Sequence, residues 1–327
     1  MIFEEQISRK PDHYPWAKTY KKAMNDGHWT VDEFNFQSDV QDFKVNLTDQ
    51  EREAVTRVLS AIAQIEVAVK LFWAKLGDNL PHPAFHDLGI TMANVEVIHN
   101  DAYEKLLEIL GLEHIIEENL KLDIIQGRVK YLRKYLHKYY KDAKKQYVYS
   151  IILFTMFVEG VSLFSQFYTI LWLYKSKRML KDTSQQVRYT SKEETLHMLA
   201  GSQIINTIKS EHPELFDEEL TERVLSEAKS AFDAESNIID WFLGDYSDTG
   251  EDGALNAPVL KEFVKYRINF CLSQIGFPEV FDIDQNLIEQ TYWFDAMVQG
   301  KAKTDFFVRR PVDYSMSFDV FNEDSLF

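Results

Sequence analysis

The chain has 327 residues, of which 45% are hydrophobic and 14% are aromatic. Its 12 glycines and 8 prolines are few for this length, so the composition favours a globular protein built from long helices. The 52 acidic and 36 basic residues leave a net charge of −16, which repels a nucleic-acid backbone and argues against nucleic-acid binding. A single cysteine, Cys271, rules out an internal disulfide and a thiolate cage for zinc.

The sequence predicts irregular structure with short helical pieces over residues 1–47. The first ten residues, MIFEEQISRK, lack the apolar core of a secretory signal. We therefore expect a cytoplasmic protein, which the lone cysteine also fits. Thr48 followed by Glu51 has the spacing of a capping box and predicts the start of a helix with apolar residues at helical period. Glu66 falls within that apolar stripe.

A second helix is predicted from about residue 85 to residue 110, where Gly111 provides a C-terminal stop. Its apolar side includes Glu96, His99 and Tyr103, which follow one another at spacings of three and four residues. A carboxylate, an imidazole and a phenol on one buried helix face need a chemical explanation.

Residues 115–145 are rich in Lys, Tyr and Leu and predict one amphipathic outer helix with a solvated basic face. Residues 148–174 carry a single acid, Glu159, besides tyrosines, and are long enough to span a bilayer. A spanning helix would place the Glu159 charge in lipid, which is costly. A helix enclosed by other helices is also apolar on every face. The polar remainder of the chain favours this buried helix, with no membrane.

The remaining helices are predicted over residues 185–208, 217–243 and 258–275, and no alternating apolar run predicts a strand. The last residues lack any period and predict a flexible tail. The sequence thus predicts an all-α protein with one helical domain over residues 1–300 and a tail over residues 301–327.

Two Glu-x-x-His units lie on apolar helix faces, Glu96 with His99 and Glu194 with His197. Residues three apart project from the same side of a helix, so each unit presents a carboxylate and an imidazole to one point. Two other predicted helices add one glutamate each, which completes the ligand recipe of ferritin-like di-iron and di-manganese proteins. The predicted ligands of a dinuclear metal site in the core are Glu66, Glu96, His99, Glu159, Glu194 and His197.

The charges of these residues agree with a metal site. Four unpaired carboxylates in an apolar core would take up protons or destabilise the bundle. Two divalent cations cancel four negative charges, and carboxylate with imidazole suits iron or manganese. One Glu-x-x-His pair arises readily by chance, but two pairs interleaved with two buried glutamates favour a dinuclear site.

With these residues assigned, the chain resembles, over nearly its whole length, the radical-generating small subunit of class I ribonucleotide reductase. The resemblance implies a ferritin-like helical bundle, a homodimer, the six ligands given above, and Tyr103 as the radical tyrosine. The segment YKKAMNDGHWTVDEF is similar to the family's N-terminal segment and implies that Trp29 lies on the radical-transfer route. The segment KTDFFVRRPVDYS is similar to the family's segment before its tail and implies that Tyr314 hands the radical to the large subunit. The terminal FNEDSLF has the acidic and aromatic character of the peptide that docks into that subunit.

Two positions depart from the family's usual pattern. Glu66 stands where the family most often has Asp, and this resembles subgroups that use manganese, so Mn/Mn is favoured over Fe/Fe or Mn/Fe. In some of those subgroups the metal centre itself holds the oxidant, which would make Tyr103 a bystander. In SKEETLH, Lys192 and Glu193 replace the family's Arg-Asp pair, and Glu193 is expected to link a metal histidine to Trp29 by hydrogen bonds.

The resemblance implies a small subunit of ribonucleoside-diphosphate reductase, an oxidoreductase that is active only with its large subunit. Its dinuclear site would generate and store a one-electron oxidant for deoxyribonucleotide synthesis and DNA replication. A stand-alone di-metal ligand-binding oxidase of the same fold is the alternative, and it would need a lipid-sized tunnel but no Tyr314. An iron-storage protein would hold many ions in a large shell, and a purely structural protein would leave four buried glutamates unexplained.

Overall fold

The computed structural model describes residues 1–250 and 253–299, and within them all side chains except those of residues 66–69, 116 and 299. Its α-helices are α1 (Trp16–Asp26), α2 (Gln37–Gln41), α3 (Asp49–Ala74), α4 (Leu76–Asn79), α5 (Pro83–Leu110), α6 (Glu113–Asn119), α7 (Asp123–Leu132), α8 (Ala143–Ile152), α9 (Phe164–Lys177), α10 (Lys181–Glu211), α11 (Glu218–Leu243), α12 (Ala257–Gln274), α13 (Gln285–Ile288) and α14 (Trp293–Gln299). Single 3-10 turns are Val31–Glu33, Arg133–Leu136, Pro213–Leu215 and Glu289–Thr291, and π-helical turns are Asp42–Asn46 and Leu153–Glu159. The described residues contain no strand, apart from an isolated bridge between Asp248 and Leu255. The predicted all-α class is confirmed.

Four long helical stretches enclose the core, namely α3, α5, α10 and the stretch from α8 to α9. Helix α3 packs against α5 and α9, while α10 packs against α5, α8, α9 and the π-helical turn Leu153–Glu159, which we call the π segment. Helices α11 and α12 pack against each other, and α11 also covers α3 and α7. The helices that carry the predicted ligands therefore all border the same interior.

The two predicted helix boundaries around α3 and α5 are confirmed. The Glu51 amide donates to Thr48 Oγ1 over 3.3 Å, and the Thr48 amide donates to Glu51 Oε2 over 2.8 Å, which is the reciprocal capping box. Gly111 ends α5 in the left-handed region at φ 73°, a conformation that costs glycine little. Local sequence therefore sets the start of α3 and the end of α5.

Helix α10 receives its N-terminal cap from a distant residue. Leu180 at its cap position makes no side-chain cap, and instead Asp39 on α2 accepts hydrogen bonds from the amides of Asp182 (3.1 Å) and Thr183 (2.6 Å). The Asp39 carboxylate thus satisfies amides that the first turn of α10 leaves unpaired. The N-terminal segment thereby helps to place the helix that carries Glu194 and His197.

The single outer helix predicted over residues 115–145 is wrong. The structure has α6, α7, a 3-10 turn and the start of α8 there. Leu122 is extended (φ −68°, ψ 136°), so α7 begins anew after it. Asp142 then caps α8 by accepting from the Lys145 amide over 2.8 Å. These local cap signals outweigh the amphipathic pattern that the stretch shares.

The basic face predicted for that stretch is not wholly solvated. Arg128 on α7 is buried, and its guanidinium donates to Glu235 on α11 over 2.9 Å (Nε–Oε1) and 3.1 Å (Nη2–Oε2). The same guanidinium donates to the Ala61 carbonyl on α3 over 2.9 Å. Arg128 therefore ties α7, α11 and α3 together.

The apolar stretch 148–174 is helical, but the π segment divides it into α8 and α9. The span Ala143–Lys177 is long and apolar enough to cross a membrane, yet 94% of its most apolar window is buried inside the protein. After the π segment, the Gly160 carbonyl accepts from Arg267 on α12 over 2.9 Å (Nε) and 2.7 Å (Nη2). A side chain from α12 therefore pairs this carbonyl where the helix breaks. The burial of the span Ala143–Lys177 is that of a core helix.

Candidate metal centre

Helices α5 and α10 each present one Glu-x-x-His unit to the interior. Glu96, His99 and His197 are 0% exposed and Glu194 is 1% exposed. His99 Nδ1 lies 3.4 Å from Glu96 Oε2 in its own helix and 3.2 Å from Glu194 Oε1 across the core. The two units therefore face each other, as the helical spacing predicts.

Glu159 reaches the same place from the end of the π segment. It is 1% exposed, and its Oε2 lies 3.5 Å from His197 Nδ1. Helix α10 comes close to the π segment through Gly201, where an added Cβ would lie 2.3 Å from Thr155 Cγ2. A π turn is an insertion that re-aims the residues after it and often marks a functional site. This turn and this close approach together bring Glu159 to the histidine.

The four residues Glu96, Glu159, Glu194 and His197 each offer one ligand atom within 4.8 Å of the others. In the described part of the chain, the oxygens of Glu96 and Glu194 and both ring nitrogens of His197 are buried without a hydrogen bond. His197 Nδ1 is 2.8 Å from Glu96 Oε1, so these atoms converge without bonding to each other. Buried polar atoms are normally paired, and a cation between these atoms would pair them. The donor set therefore fits and supports a dinuclear metal site.

The pKa values of Glu159 and His99 are shifted because several carboxylates are buried together around them. Burial raises the pKa of Glu159 well above its ordinary value, and the negative charges of Glu194 and Glu96 raise it further. Burial alone would lower the pKa of His99, but its hydrogen bond with Glu193 and the close approach of the Glu194 and Glu96 carboxylates outweigh burial and raise the pKa well above its ordinary value. Without a cation, protons would have to balance these carboxylates. Divalent metal ions would take over that role.

Glu193 connects Trp29 to the donor cluster, by which we mean Glu96, His99, Glu159, Glu194 and His197. Its Oε2 accepts from the indole Nε1 of Trp29 over 2.9 Å and lies 2.8 Å from Nε2 of His99. The ring of Trp29 is also nearly parallel to that of His99, with centroids 6.3 Å apart and an interplanar angle of 25°. Trp29 is 2% exposed. The hydrogen-bonded link that the sequence predicts between Trp29 and a candidate ligand is present, despite the extra methylene of Glu193.

Tyr103 lies one helical turn after His99 on α5 and is 1% exposed. Its hydroxyl donates to Thr190 Oγ1 over 3.4 Å, which places it against α10. Two predicted site residues remain, Glu66 and Tyr314. The side chain of Glu66 and all of Tyr314 lie outside the described parts of the chain.

Trp73 on α3 is a further candidate site residue, and it is not among the residues predicted from the sequence. Its indole Nε1 donates to Glu159 Oε1 over 2.7 Å, so it touches a candidate ligand directly. Trp73 follows Glu66 by seven residues, which is two helical turns and the same helix face. That spacing was the signal available in the sequence.

An all-α bundle with four helical stretches around a buried set of glutamates and histidines defines a ferritin-like helical protein with a metal centre in its core. Its family follows from sequence comparison. The family described as "Ribonucleotide reductase, small chain" matches residues 6–287. The chain therefore belongs to the ribonucleotide reductase small chains, an oxidoreductase family, and the predicted family resemblance is confirmed.

A curated relative and three solved structures illustrate the similarity. The relative is a probable ribonucleoside-diphosphate reductase small subunit of Invertebrate iridescent virus 3, 22% identical over an alignment of 329 positions that covers 96% of this chain and 85% of the relative. A putative class I ribonucleotide reductase from Bacillus halodurans has a TM-score of 0.78 at 22% identity and covers 86% of this chain and 99% of its own.

The dimanganese(II)-NrdF of Streptococcus sanguinis has a TM-score of 0.72 at 14% identity, covering 88% of this chain and 97% of its own. An R2-like ligand-binding oxidase with a Mn/Fe cofactor has a TM-score of 0.68 at 19% identity, covering 82% of this chain and 96% of its own. At these identities the structural similarity establishes the fold.

Proposed function

We propose that this chain generates a one-electron oxidising equivalent at a dinuclear metal site, stores it, and passes it to a large subunit that reduces ribonucleoside diphosphates. The observation that carries the proposal is the link from Trp29 through Glu193 to His99. A metal-storage or purely structural bundle has no need for a buried indole joined to a metal ligand in this way. The family membership of the chain supports the same reaction.

The proposed ligands are Glu66, Glu96, His99, Glu159, Glu194 and His197. The two ions, when bound, would supply the one-electron chemistry that carboxylates and imidazoles lack. The chain orients the ligands from four helical stretches and excludes water around them. Phe154, Phe157 and Phe164 of the π segment and α9 are at most 1% exposed and form part of this dry surround.

Manganese is the proposed metal, with two irons or one ion of each as the alternatives. Glutamate at position 66 supports manganese by resemblance to manganese-using subgroups. Two structural neighbours are described with manganese, one as dimanganese(II) and one as Mn/Fe. With two irons we expect a tyrosyl signal at Tyr103, and with two manganese ions we expect the oxidising equivalent to remain at the metals.

The proposed partner is the large subunit, reached through Tyr314 and the tail of residues 301–327, with residues 1–300 as the helical domain. We also propose a cytoplasmic homodimer. Ile90 and Val97 on α5 support the homodimer, because they are 65% and 42% exposed and lie seven residues apart on one helix face. Sedimentation of the purified chain tests the dimer.

The metal site is tested by elemental analysis of protein offered equal iron and manganese in air, with an electron paramagnetic resonance spectrum of the same sample. We expect two metal ions per chain in wild type and a loss of metal in Glu194→Ala. Fewer than about one ion per chain in wild type would overturn the dinuclear site.

The radical route is tested by turnover with the large subunit. Trp29→Phe should abolish turnover and keep the metal content, while Trp172→Phe, which alters another buried indole, should keep both. Truncation after Lys303 should likewise abolish turnover and keep the metals. Normal turnover in Trp29→Phe would exclude the route through Trp29.

A ligand-binding oxidase is the second candidate, and a cavity favours it. A cavity of about 670 Å³ lies between α3, α7 and α8, within the range of small-molecule pockets. Phe72, Phe154 and Val158 line it, and Val158 adjoins Glu159 in the chain. The rings of Phe72 and Phe154 stack with centroids 3.9 Å apart, and the Phe154 centroid lies 5.4 Å from that of Trp73. An acyl ligand found by native mass spectrometry, with no turnover on addition of the large subunit, would favour the oxidase.

A further inference from the structure

Trp73 lies in the last turn of α3 and joins that helix to the π segment. The side chain is 0% exposed, and its indole Nε1 donates to Glu159 Oε1 over 2.7 Å. Glu159 is itself 1% exposed, so both partners are removed from water. A hydrogen bond between two groups that are both removed from water is electrostatically stronger than the same bond in contact with solvent.

This bond divides the two oxygens of Glu159 between two tasks. Oε1 accepts from the indole, while Oε2 lies 3.5 Å from Nδ1 of His197 and faces the other ligands. An indole N–H is a donor only, so its direction of donation is fixed. The carboxylate is thereby held with one oxygen toward the donor cluster and the other oxygen already satisfied.

The ring of Trp73 is held in place by its aromatic neighbours. Its centroid lies 6.0 Å from that of His197 at 59°, 5.5 Å from that of Phe72 at 82°, and 5.4 Å from that of Phe154 at 80°. These ring contacts on several sides, two of them edge-on, restrict rotation of the indole. The donor is therefore positioned before any metal binds.

We propose that Trp73 is a positioning residue that holds Glu159 with one oxygen toward the other candidate ligands and thereby sets the affinity of the metal position that Glu96, Glu159, Glu194 and His197 would form. The inference rests on the metal site proposed above, and it concerns how one ligand of that site is held. Partners of metal ligands of this kind govern metal affinity, because they fix ligand orientation and basicity.

Trp172 shows what an indole with a purely structural role looks like in this chain. It is also 0% exposed, and its Nε1 donates over 2.8 Å to the backbone carbonyl of Gly253. A buried indole needs some acceptor, and a carbonyl suffices for Trp172. Trp172 is therefore a matched control for the size, burial and hydrogen bond of Trp73.

The experiment is a Mn(II) titration of the metal-free full-length protein, followed by electron paramagnetic resonance of free and bound Mn(II). Wild type, Trp73→Phe, Trp172→Phe and Glu194→Ala are compared, and the unfolding midpoint of each metal-free variant in urea is measured in parallel. We expect Trp73→Phe to bind one Mn(II) about 10- to 100-fold more weakly than wild type, with a changed bound-Mn(II) spectrum. Trp172→Phe should bind as wild type does, even where its unfolding midpoint falls as far.

A second replacement guards against loss of folding in Trp73→Phe. Benzothienylalanine at position 73 keeps the bicyclic ring and replaces only the N–H by sulfur, so it removes the donor without opening a cavity. It should weaken Mn(II) binding in the same way. Wild-type affinity and spectrum with this replacement would overturn the role of Trp73 while leaving the metal site intact. Failure of wild type to bind Mn(II) would instead overturn the metal site itself.

Discussion

Replacing Glu193 by Gln removes one charge from the link between Trp29 and His99 and leaves its shape nearly unchanged. Both contacts end on the same oxygen, Oε2, at 2.9 Å from the indole nitrogen and 2.8 Å from the imidazole nitrogen. Hydrogen bonds to a charged group contribute about 1.5–3 kcal/mol, against about 0.5–1.5 kcal/mol between neutral groups. Loss of the charge should weaken the two contacts together by about 2–3 kcal/mol. At about 1.4 kcal/mol for each factor of ten, this is a factor of about 30 to 140 in an equilibrium that depends on both contacts.

The effect should be visible in two assays. Because His99 is a proposed ligand, Glu193→Gln should weaken binding of one metal ion by about 10- to 100-fold in a metal titration. At saturating metal, turnover with the large subunit should still fall, because the indole is no longer coupled to a carboxylate. The two measurements separate a defect in metal loading from a defect in the route.

Glu227→Gln is the matched control for this variant. Glu227 on α11 and Glu193 are both 6% exposed. Glu227 accepts hydrogen bonds from Lys134 over 2.6 Å and from Tyr149 over 3.3 Å. The control should cost stability but keep metal affinity and turnover. If Glu193→Gln matches wild type in both assays, the coupling between Trp29 and the metal ligands is not what the geometry indicates.

Tyr103→Phe should keep two metals per chain and remove any tyrosyl resonance signal; a tyrosyl signal that persists would exclude Tyr103 as its source. Burial alone would raise the pKa of Glu51, but hydrogen bonds led by that from Lys177 outweigh burial and hold the pKa below its ordinary value. A lowered carboxyl pKa stabilises the fold above the unfolded pKa, about 4.3, and this stability disappears as the pH falls through the folded pKa. Glu51→Gln should therefore lower the unfolding free energy at pH 7 and reduce its fall in acid, and an unchanged pH profile in urea unfolding would contradict the assignment. Arg128→Met leaves Glu235 buried without its cation and should lower the unfolding free energy in urea by about 3–5 kcal/mol. The double variant Arg128→Met, Glu235→Met should regain most of this stability. An equally large loss of stability in the double variant would contradict the charge explanation.

The sequence by itself determined what depends on neighbouring residues along one helix. The capping box at Thr48, the left-handed stop at Gly111 and the shared face of each Glu-x-x-His unit are all present, because helical period and caps are local properties of the backbone. The same periodicity identified Glu159 as a buried acid, and the interleaved order of these residues indicated a metal site and the family.

Only the tertiary structure decided how the helices meet. No pattern in the sequence indicates that α10 takes its cap from Asp39. Nor does any pattern indicate that the π segment ends at Glu159 and that Arg267 donates to the carbonyl of the next residue. The bond from Trp73 to Glu159 likewise joins residues 86 positions apart. Such contacts depend on how closely side chains from separate helices can pack, and Gly201 against Thr155 is the clearest case. Helical period predicts which face a residue occupies, whereas packing decides which atom that face meets.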